Sequence, residues 1–140
     1  MNNIIISIKP IFCKAIYSGD KLVELRKSVG RRFVPGARLY IYTSSPEMAI
    51  TGEAMIDKVQ RLTIPEIKDR YLADACIGES DFDRYYCGKS CGHVISLTGV
   101  RKYQVAACLD EMKNIGFYAP QSYLYPSRDI INYIESKKCM

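Results

Sequence analysis

Three ionisable residues stand close together near the start of the sequence, at Lys21, Glu24 and Arg26. The segment alternates apolar and polar residues, which predicts a β-strand with Glu24 and Arg26 on the same face. These two side chains can form an ion pair, and the neighbouring lysine can bind a phosphate as a point charge. Arg26 can instead hold a phosphate or a base edge bidentately. The structural alternative is an ion pair that only rigidifies the wall of the fold, because a buried pair is weak evidence for function.

The spacing Cys87-x3-Cys91-x-His93 has the residue types of part of a zinc site. A closed structural site needs four ligands, and no second Cys/His pair has suitable spacing, so we predict neither a metal nor a cofactor. We expect the six cysteines to be reduced thiols, since no export signal is present. His93 is the only histidine, and its position at the start of a strand favours a structural role over catalysis.

A stretch without acidic residues runs from Leu25 to Pro46. Its cationic residues are Arg26, Lys27, Arg31, Arg32 and Arg38, and it also contains Tyr40 and Tyr42. Cationic side chains with interleaved aromatic rings can neutralise phosphates and stack bases. The alternative is a solvated basic face with the tyrosines in the core.

The composition is that of one ordinary globular domain. The chain has 140 residues, 48% hydrophobic and 25% charged, with a formal net charge of +5. This predicts a single domain over residues 1–140 that buries its core without disulfides. No apolar run approaches the roughly 18 residues that cross a membrane, and the N-terminus has no signal-peptide pattern. We therefore expect a cytoplasmic protein with no membrane partner.

Periodicity divides the chain into short elements. Alternating or β-branched runs predict strands at residues 3–8, 21–26, 38–43, 49–60 and 93–100. Helical periods and capping residues predict helices at residues 11–18, 63–75, 80–86, 105–114 and 128–137. Gly52 interrupts a strand pattern, which predicts a bulge or a close backbone approach. Together these elements predict an α+β fold, a small mixed β-barrel with inserted and flanking short helices, although the pattern alone also fits an open sheet.

Several short motifs, taken in order, resemble a known family. They are Ser7-Ile8-Lys9-Pro10, Gly19-x-Lys21-x-x-Glu24-x-Arg26, Ile41-Tyr42-Thr43-Ser44-Ser45-Pro46, Ile50-Thr51-Gly52-Glu53 and Ala119-Pro120-Gln121-Ser122-Tyr123. Their order and spacing over about residues 4–125 resemble the ASCH domains of the PUA-like superfamily. The last motif is similar to the Pro-Gln-Ser element of one ASCH subgroup. Its structural alternative is a segment that simply turns the chain.

The resemblance implies a PUA-like β-barrel whose cleft is lined by the Gly-x-Lys-x-x-Glu-x-Arg element, and it implies a role in RNA metabolism. Some ASCH members bind RNA, others cleave single-stranded RNA, and one small branch removes acyl groups from acetylated cytidine. In that branch a threonine nucleophile occupies the position of Glu24 and the lysine activates it. A carboxylate at Glu24 is already ionised and keeps Lys21 cationic, so that mechanism does not transfer to this chain.

The resemblance and the residue chemistry together predict a cleft for RNA, a nucleotide or a modified nucleoside. The predicted ligand-binding residues are Lys9, Lys21, Glu24, Arg26, Tyr42, Ser44, Ser45, Gln121, Ser122 and Tyr123. The catalytic candidates, if the chain cleaves RNA, are Lys21, Glu24, Arg26 and Tyr42. Gln121 and Ser122 can read a base edge, and the tyrosines can stack a splayed base. Two alternatives to an RNA-binding module stay open: a single-strand-specific ribonuclease, and a regulatory domain that binds a small molecule or a protein.

Overall fold

The computed structural model describes residues 2–140, and that range contains six strands and five α-helices. The strands are β1 Asn3–Ile8, β2 Val23–Arg26, β3 Arg38–Thr43, β4 Ala49–Thr63, β5 Cys91–Cys108 and β6 Tyr123–Leu124. The helices are α1 Pro10–Ser18, α2 Ile64–Ala75, α3 Glu79–Tyr85, α4 Leu109–Met112 and α5 Arg128–Lys138, with a 3-10 turn at Lys113–Ile115. None of the helices in the described range is long and apolar enough to span a bilayer.

All six strands belong to one mixed sheet in the order β2-β5-β4-β3-β1-β6. β1 and β3 pair in parallel, with Ile5 opposite Tyr40, and the other neighbours pair antiparallel. The sheet curls into a half-barrel, which confirms the predicted barrel-type α+β fold with short helices. β2 and β6 are its two edges, so no backbone ladder joins these two strands.

The faces of β1 and β3 contact different apolar clusters. Ile4, Ile6 and Ile8 pack in one cluster with residues of α1. Ile5 points to the opposite face and packs in a second cluster with residues of α4 and α5. This alternation follows from the period of two along a strand. A third cluster forms between β2, α2 and α3 and contains Phe82.

Gly52 lies at an irregular point of the β4–β5 pair, where the register shifts between Ile50 and Gly52. A Cβ atom at Gly52 would lie 2.5 Å from the backbone oxygen of Arg101, and the Tyr17 hydroxyl would be closer still. The bulge and close approach predicted from the sequence are confirmed, because only a residue without a side chain fits there.

The helix predicted at residues 105–114 is wrong over its first half. β5 continues through Cys108, pairing Ala107 with Ile50 and Cys108 with Ala49 of β4. Only the four residues of α4 and the following 3-10 turn are helical. A short apolar run has no decisive period of its own, and here the long partner strand β4 determines its conformation.

The α2 helix begins as predicted and ends beside β2. The Thr63 hydroxyl accepts a hydrogen bond from the Glu66 N–H, and the Glu66 carboxylate accepts one from the Thr63 N–H, which completes a capping box. At the other end of α2, the Asp74 carbonyl accepts a hydrogen bond of 2.7 Å from the Leu22 N–H. That contact fixes the last turn of α2 against the start of β2.

Candidate functional site

Arg26 joins the two sides of the opening in the half-barrel, which we call the seam. Its Nη2 donates to the Ser7 carbonyl of β1 at 2.7 Å, and its Nη1 donates to Ser122 Oγ at 3.1 Å. Ser122 directly precedes β6, while Arg26 is the last residue of β2. One guanidinium group therefore connects the edge strands where backbone pairing is absent.

Glu24 lies between Lys21 and Arg26. The Nε and Nη2 atoms of Arg26 donate to Glu24 Oε2 at 2.8 and 2.6 Å, and Lys21 Nζ is 3.3 Å from Glu24 Oε1. The ion pair predicted from the spacing of Glu24 and Arg26 is thus present. Lys21 and Glu24 are only 4% and 7% exposed. Because Lys21 and Arg26 share the single carboxylate of Glu24, these three side chains together carry an excess positive charge inside the fold.

Lys21 and Arg26 are more deeply engaged than the sequence suggested. Lys21 Nζ donates to the Ala75 carbonyl at 2.7 Å and lies 4.8 Å from the centroid of the Phe12 ring. All three guanidinium nitrogens of Arg26 already donate to protein atoms. Phosphate binding by Lys21 as a point charge and by Arg26 bidentately therefore stays a prediction: in the structure both side chains line the cavity and hold the surrounding backbone in place. The sequence could not indicate this because Ala75 and Ser122 are far away along the chain.

A cavity of about 900 Å³ opens beside this charged group. Its lining comes from β1 and the start of α1, from β2 and the loop after it, from the corner between α2 and α3, and from the segment before β6. Ile8, Phe12, Leu25 and Ile77 contribute apolar surface. The cavity therefore offers both apolar contact and polar groups to a ligand.

Seven of the ten predicted ligand-binding residues line this cavity. They are Lys9, Lys21, Glu24, Arg26, Ser44, Gln121 and Ser122. Segments from both ends of the sequence meet here because β1 pairs with β6 and Arg26 connects β2 to both. The remaining three, Tyr42, Ser45 and Tyr123, do not contribute to the lining.

Tyr42 lies in the core and not in the cleft, which corrects its proposed stacking or catalytic role. It is 3% exposed and packs with Ile5 and Tyr103, with its ring centroid 6.1 Å from that of Phe117. Burial raises the pKa of its hydroxyl. Residues two positions apart share a face only within one strand. β3 ends at the residue after Tyr42, so Ser44 lies beyond the strand and Tyr42 does not share its face.

Tyr123 and Ser45 also lie outside the cavity lining. The Tyr123 ring is half-buried and packs against Phe33, with ring centroids 4.8 Å apart. Ser45 is exposed and precedes Pro46 through a cis peptide bond. Turn geometry after β3 and the aromatic packing around Phe33 decide these positions, and neither is visible in the local sequence pattern.

Sequence reasoning missed the lining residues supplied by other elements. They are Ser7, Ile11, Phe12, Lys27, Ser28, Cys76, Ile77, Asp81, Arg84 and Tyr85, with neighbouring backbone. Half of these ten belong to α3 or to the corner between α2 and α3, which tertiary contacts bring to β2. Among the polar ones, Ser7 and Lys27 carried a signal, because Ser7 begins the first family motif and Lys27 lies in the basic stretch that includes Arg26.

The lining is electropositive. Its cations are Lys9, Lys21, Arg26, Lys27 and Arg84, and its anions are Glu24 and Asp81. Five positive and two negative groups leave a net charge of +3. Arg84 pairs with Asp81 at 3.2 Å, whereas Lys9 and Lys27 have no ion pair with any residue from 2 to 140. Lys27 Nζ lies 4.8 Å from the centroid of the Tyr85 ring, so it remains at the cavity wall.

Cys87, Cys91 and His93 lie outside the cavity lining. His93 pairs with Arg26 across the β2–β5 ladder, and its Nδ1 atom is buried without a hydrogen-bond partner in the described structure. No group of three or more His, Cys, Asp or Glu side chains among residues 2–140 is arranged to hold a metal ion.

The chain is similar to several known proteins over most of its length. A family described as "Domain of unknown function (DUF365)" matches residues 1–119. An ASCH domain-containing ribonuclease from Zymomonas mobilis is 29% identical over 120 residues, which cover 84% of this chain and 80% of that protein.

Solved structures give the same picture of the fold. The crystal structure of ASCH from Zymomonas mobilis superimposes with a TM-score of 0.89 at 26% identity, covering 96% of this chain and 94% of that one. The N-terminal domain of Staphylothermus marinus McrB superimposes with a TM-score of 0.60 at 15% identity, covering 96% and 93%. At that low identity the second match supports the fold alone.

Proposed function

Because the chain belongs to the DUF365 family and is an ASCH domain protein, we propose that it binds single-stranded RNA or a modified nucleoside in the cavity at the seam. We further propose that residues 1–140 act as one ASCH/PUA-like domain. The observation that carries the proposal is the net charge of +3 around the cavity, with Lys9 and Lys27 lacking carboxylate partners in the described structure. Phosphate is the anion that single-stranded RNA offers to such cations, and its binding releases counterions.

The size and chemistry of the cavity support a nucleotide. A volume of about 900 Å³ falls in the upper part of the range of about 300–1,000 Å³ that small-ligand pockets occupy. Phe12 and Ile77 offer apolar contact to a base, and Gln121 offers a donor and an acceptor to its edge. In this arrangement Lys9 and Lys27 bind phosphate, while Lys21, Glu24 and Arg26 keep the walls in position.

The second candidate is a ribonuclease, which the name and 29% identity of the Zymomonas mobilis protein favour. Cleavage through the 2′-hydroxyl of RNA needs cations near the developing phosphorane charge and groups that transfer protons. Lys9 and Lys27 meet the first need. His93 does not line the cavity, so proton transfer would fall to a lysine, to Asp81 or to a hydroxyl group such as that of Ser44.

A titration of end-labelled single-stranded RNA followed by fluorescence anisotropy, at about 50 and about 200 mM salt, tests the proposal. We expect binding that weakens with salt, and we expect Lys9→Ala and Lys27→Ala each to lower the salt slope by about 0.7. Lys14→Ala is the matched control, because Lys14 is exposed on α1 and does not line the cavity.

The same RNA, separated on a gel after the titration, decides between the two candidates. Intact RNA supports a binding module, and fragments that disappear in Lys9→Ala support the ribonuclease. Absence of binding at both salt concentrations would contradict both and favour a small-molecule or protein-binding domain.

A further inference from the structure

A second, smaller cavity of about 270 Å³ lies near the C-terminal helix α5. Aromatic and aliphatic side chains dominate its lining, including Phe117, Tyr118, Leu124, Tyr125 and Ile130, and no charged side chain contributes. Tyr118 is 79% exposed, so its ring is accessible to a ligand. An open, uncharged, aromatic recess of this kind suits the flat face of a base.

One extended segment joins the two cavities. Ser122 lines the large cavity, and Tyr125, three residues further on, lines the small one. The intervening residues form β6, and a rise of about 3.3 Å per residue separates the two positions by about 10 Å. A strand of a few nucleotides can span that distance.

The loop between β2 and β3 follows the same path. Lys27 begins this loop at the wall of the large cavity. Further along, the Arg32 guanidinium lies 4.5 Å from the centroid of the Tyr125 ring, and the Arg32 N–H donates to the Tyr125 hydroxyl at 3.3 Å. Gly30 lies against Tyr123 and Tyr125 so closely that a Cβ atom there would be 2.7 Å from the Tyr123 hydroxyl. The loop is therefore pressed onto the connecting segment between the cavities.

The cations of this loop have no acidic partners. Lys27, Arg31 and Arg32 make no ion pair within the described range, and Lys27 and Arg31 are exposed. The loop thus runs from Lys27 at the large cavity to Arg32, which contacts Tyr125 of the second cavity. Cations without acidic partners near an uncharged aromatic recess are what single-stranded nucleic acid requires, because its phosphates bind cations and its bases stack on aromatic rings.

We propose that the Lys27–Arg32 loop and the second cavity extend the RNA site, a step that rests on the proposed function above. The phosphates of a single strand leaving the large cavity contact Lys27, Arg31 and Arg32. A base further along the strand enters the second cavity against Tyr118 and Tyr125. The site then holds an extended single strand and not an isolated nucleotide.

The test compares single-stranded RNAs of about four and about twelve nucleotides, a range that small single-strand sites cover. We expect the wild-type protein to bind the longer RNA about tenfold more tightly. Tyr118→Ala, and the double change Arg31→Gln with Arg32→Gln, should remove most of that difference while leaving the shorter RNA unaffected. The double change should also lower the salt slope for the longer RNA by about 1.4.

Two further variants separate this effect from general loss of charge or of folding. Arg31→Gln alone leaves the Arg32–Tyr125 contact intact and should produce about half of the slope change. Lys58→Gln with Arg61→Gln removes the same charge from exposed positions of β4 that line neither cavity, and it should not change the affinity difference between the RNAs.

The outcomes that overturn the extension differ from those that overturn the proposed function. Equal affinity of the wild-type protein for both RNAs, or an equal loss in the β4 control, would contradict the extension and leave the large cavity as the binding site. Failure to bind either RNA would contradict both proposals.

Discussion

Ser122 Oγ accepts a hydrogen bond of 3.1 Å from Arg26 Nη1, although 96 positions separate the two residues in the sequence. The same guanidinium donates to the Ser7 carbonyl and to Glu24. The walls of the large cavity meet at this point, so the shape of the candidate site depends on a side chain bridging two strands that do not pair. In the sequence Arg26 resembles a ligand-binding residue, but in the fold its side chain connects the two edges of the sheet.

Replacing Arg26 should therefore lower stability and not only ligand affinity. We expect Arg26→Ala to reduce the free energy of unfolding by about 1.5–3 kcal/mol, since it removes charge-assisted hydrogen bonds to Glu24 while Lys21 still balances the charge of that carboxylate. Arg26→Lys should be intermediate, because one ammonium group cannot reach Glu24, Ser7 and Ser122 together. Urea unfolding followed by circular dichroism measures both changes.

The control for Arg26 is Arg70→Ala, which removes an exposed ion pair with Glu66 on α2. Exposed pairs of this type contribute less than about 1 kcal/mol. An Arg26→Ala protein that unfolds at the same urea concentration as Arg70→Ala would show that the seam is held closed by other contacts.

Gly30 should tolerate a methyl group only if a tyrosine hydroxyl is removed. The atoms closest to a Cβ at Gly30 are the side-chain hydroxyls of Tyr125 and Tyr123. We expect Gly30→Ala to destabilise the protein by about 1–3 kcal/mol, as overpacking does. Adding Tyr125→Phe should recover part of this loss, which a double-mutant cycle of unfolding free energies would measure.

Gly52 provides the contrasting case. A Cβ atom there meets the backbone oxygen of Arg101 at 2.5 Å as well as the Tyr17 hydroxyl. Tyr17→Phe should therefore not restore the stability lost in Gly52→Ala, since no substitution removes the backbone oxygen of Arg101. Equal rescue at Gly52 and Gly30 would mean that β4 and β5 move apart at Gly52 more easily than their pairing suggests.

Glu53 should make stability depend on pH in the acid range. Burial alone would raise the pKa of its carboxyl, but hydrogen bonds from Lys138 at 2.7 Å and Tyr103 at 2.6 Å, with the charge of Arg38, outweigh burial and lower the pKa. The stabilisation is therefore complete above the unfolded pKa of about 4.3. It is lost as the pH falls through the lower folded pKa.

Urea unfolding of the wild-type protein and of Glu53→Gln across this range measures the effect. We expect the wild-type protein to be more stable at about pH 7, and the difference to shrink below about pH 4. A difference that stays constant down to about pH 2 would show that folding does not lower the pKa of the Glu53 carboxyl.

Alkylation of cysteines gives a direct footprint of a ligand in the large cavity. Cys76 is exposed and lines that cavity, whereas Cys139 is exposed but does not line it. Bound RNA should slow the reaction of Cys76 with iodoacetamide several-fold and leave Cys139 unchanged, as measured by mass spectrometry of peptides.

Cys13 serves as an internal reference in the same experiment. Burial raises the pKa of its thiol to about 11, so little reactive thiolate forms near neutral pH. It should stay unmodified until the protein is unfolded. Equal protection of Cys76 and Cys139 by RNA would place the ligand elsewhere or indicate a general change in mobility.

Much of the fold could be predicted because local periods are strong in β1, β3, α2 and α5. The second half of β5 could not, since the run around Ala107 becomes a strand only through pairing with β4. Tyr42 was misplaced for a related reason: a strand pattern tells which residues share a face but not which face lines a cavity.

The residues of the candidate site that belong to the family motifs could be predicted from the sequence. The residues that other elements supply could not. Lys9, Ser44 and Gln121 were found through the resemblance, and all line the cavity. Cys76 and Arg84 come from the corner that the Leu22–Asp74 hydrogen bond brings to β2. No local signal marks that corner, because a contact between distant segments depends on the completed fold.

The position of β1 between β3 and β6 has a consequence for how the chain folds during synthesis. β1 is synthesised before β3 and pairs with it in parallel, but the other edge of β1, at Ile5, is covered only after Leu124 of β6 has been synthesised. Until then the nascent chain carries an unpaired, apolar strand edge, which is a common starting point for misassembly. Ser122 is synthesised at the same stage, so the large cavity cannot form before the sheet has gained its sixth strand.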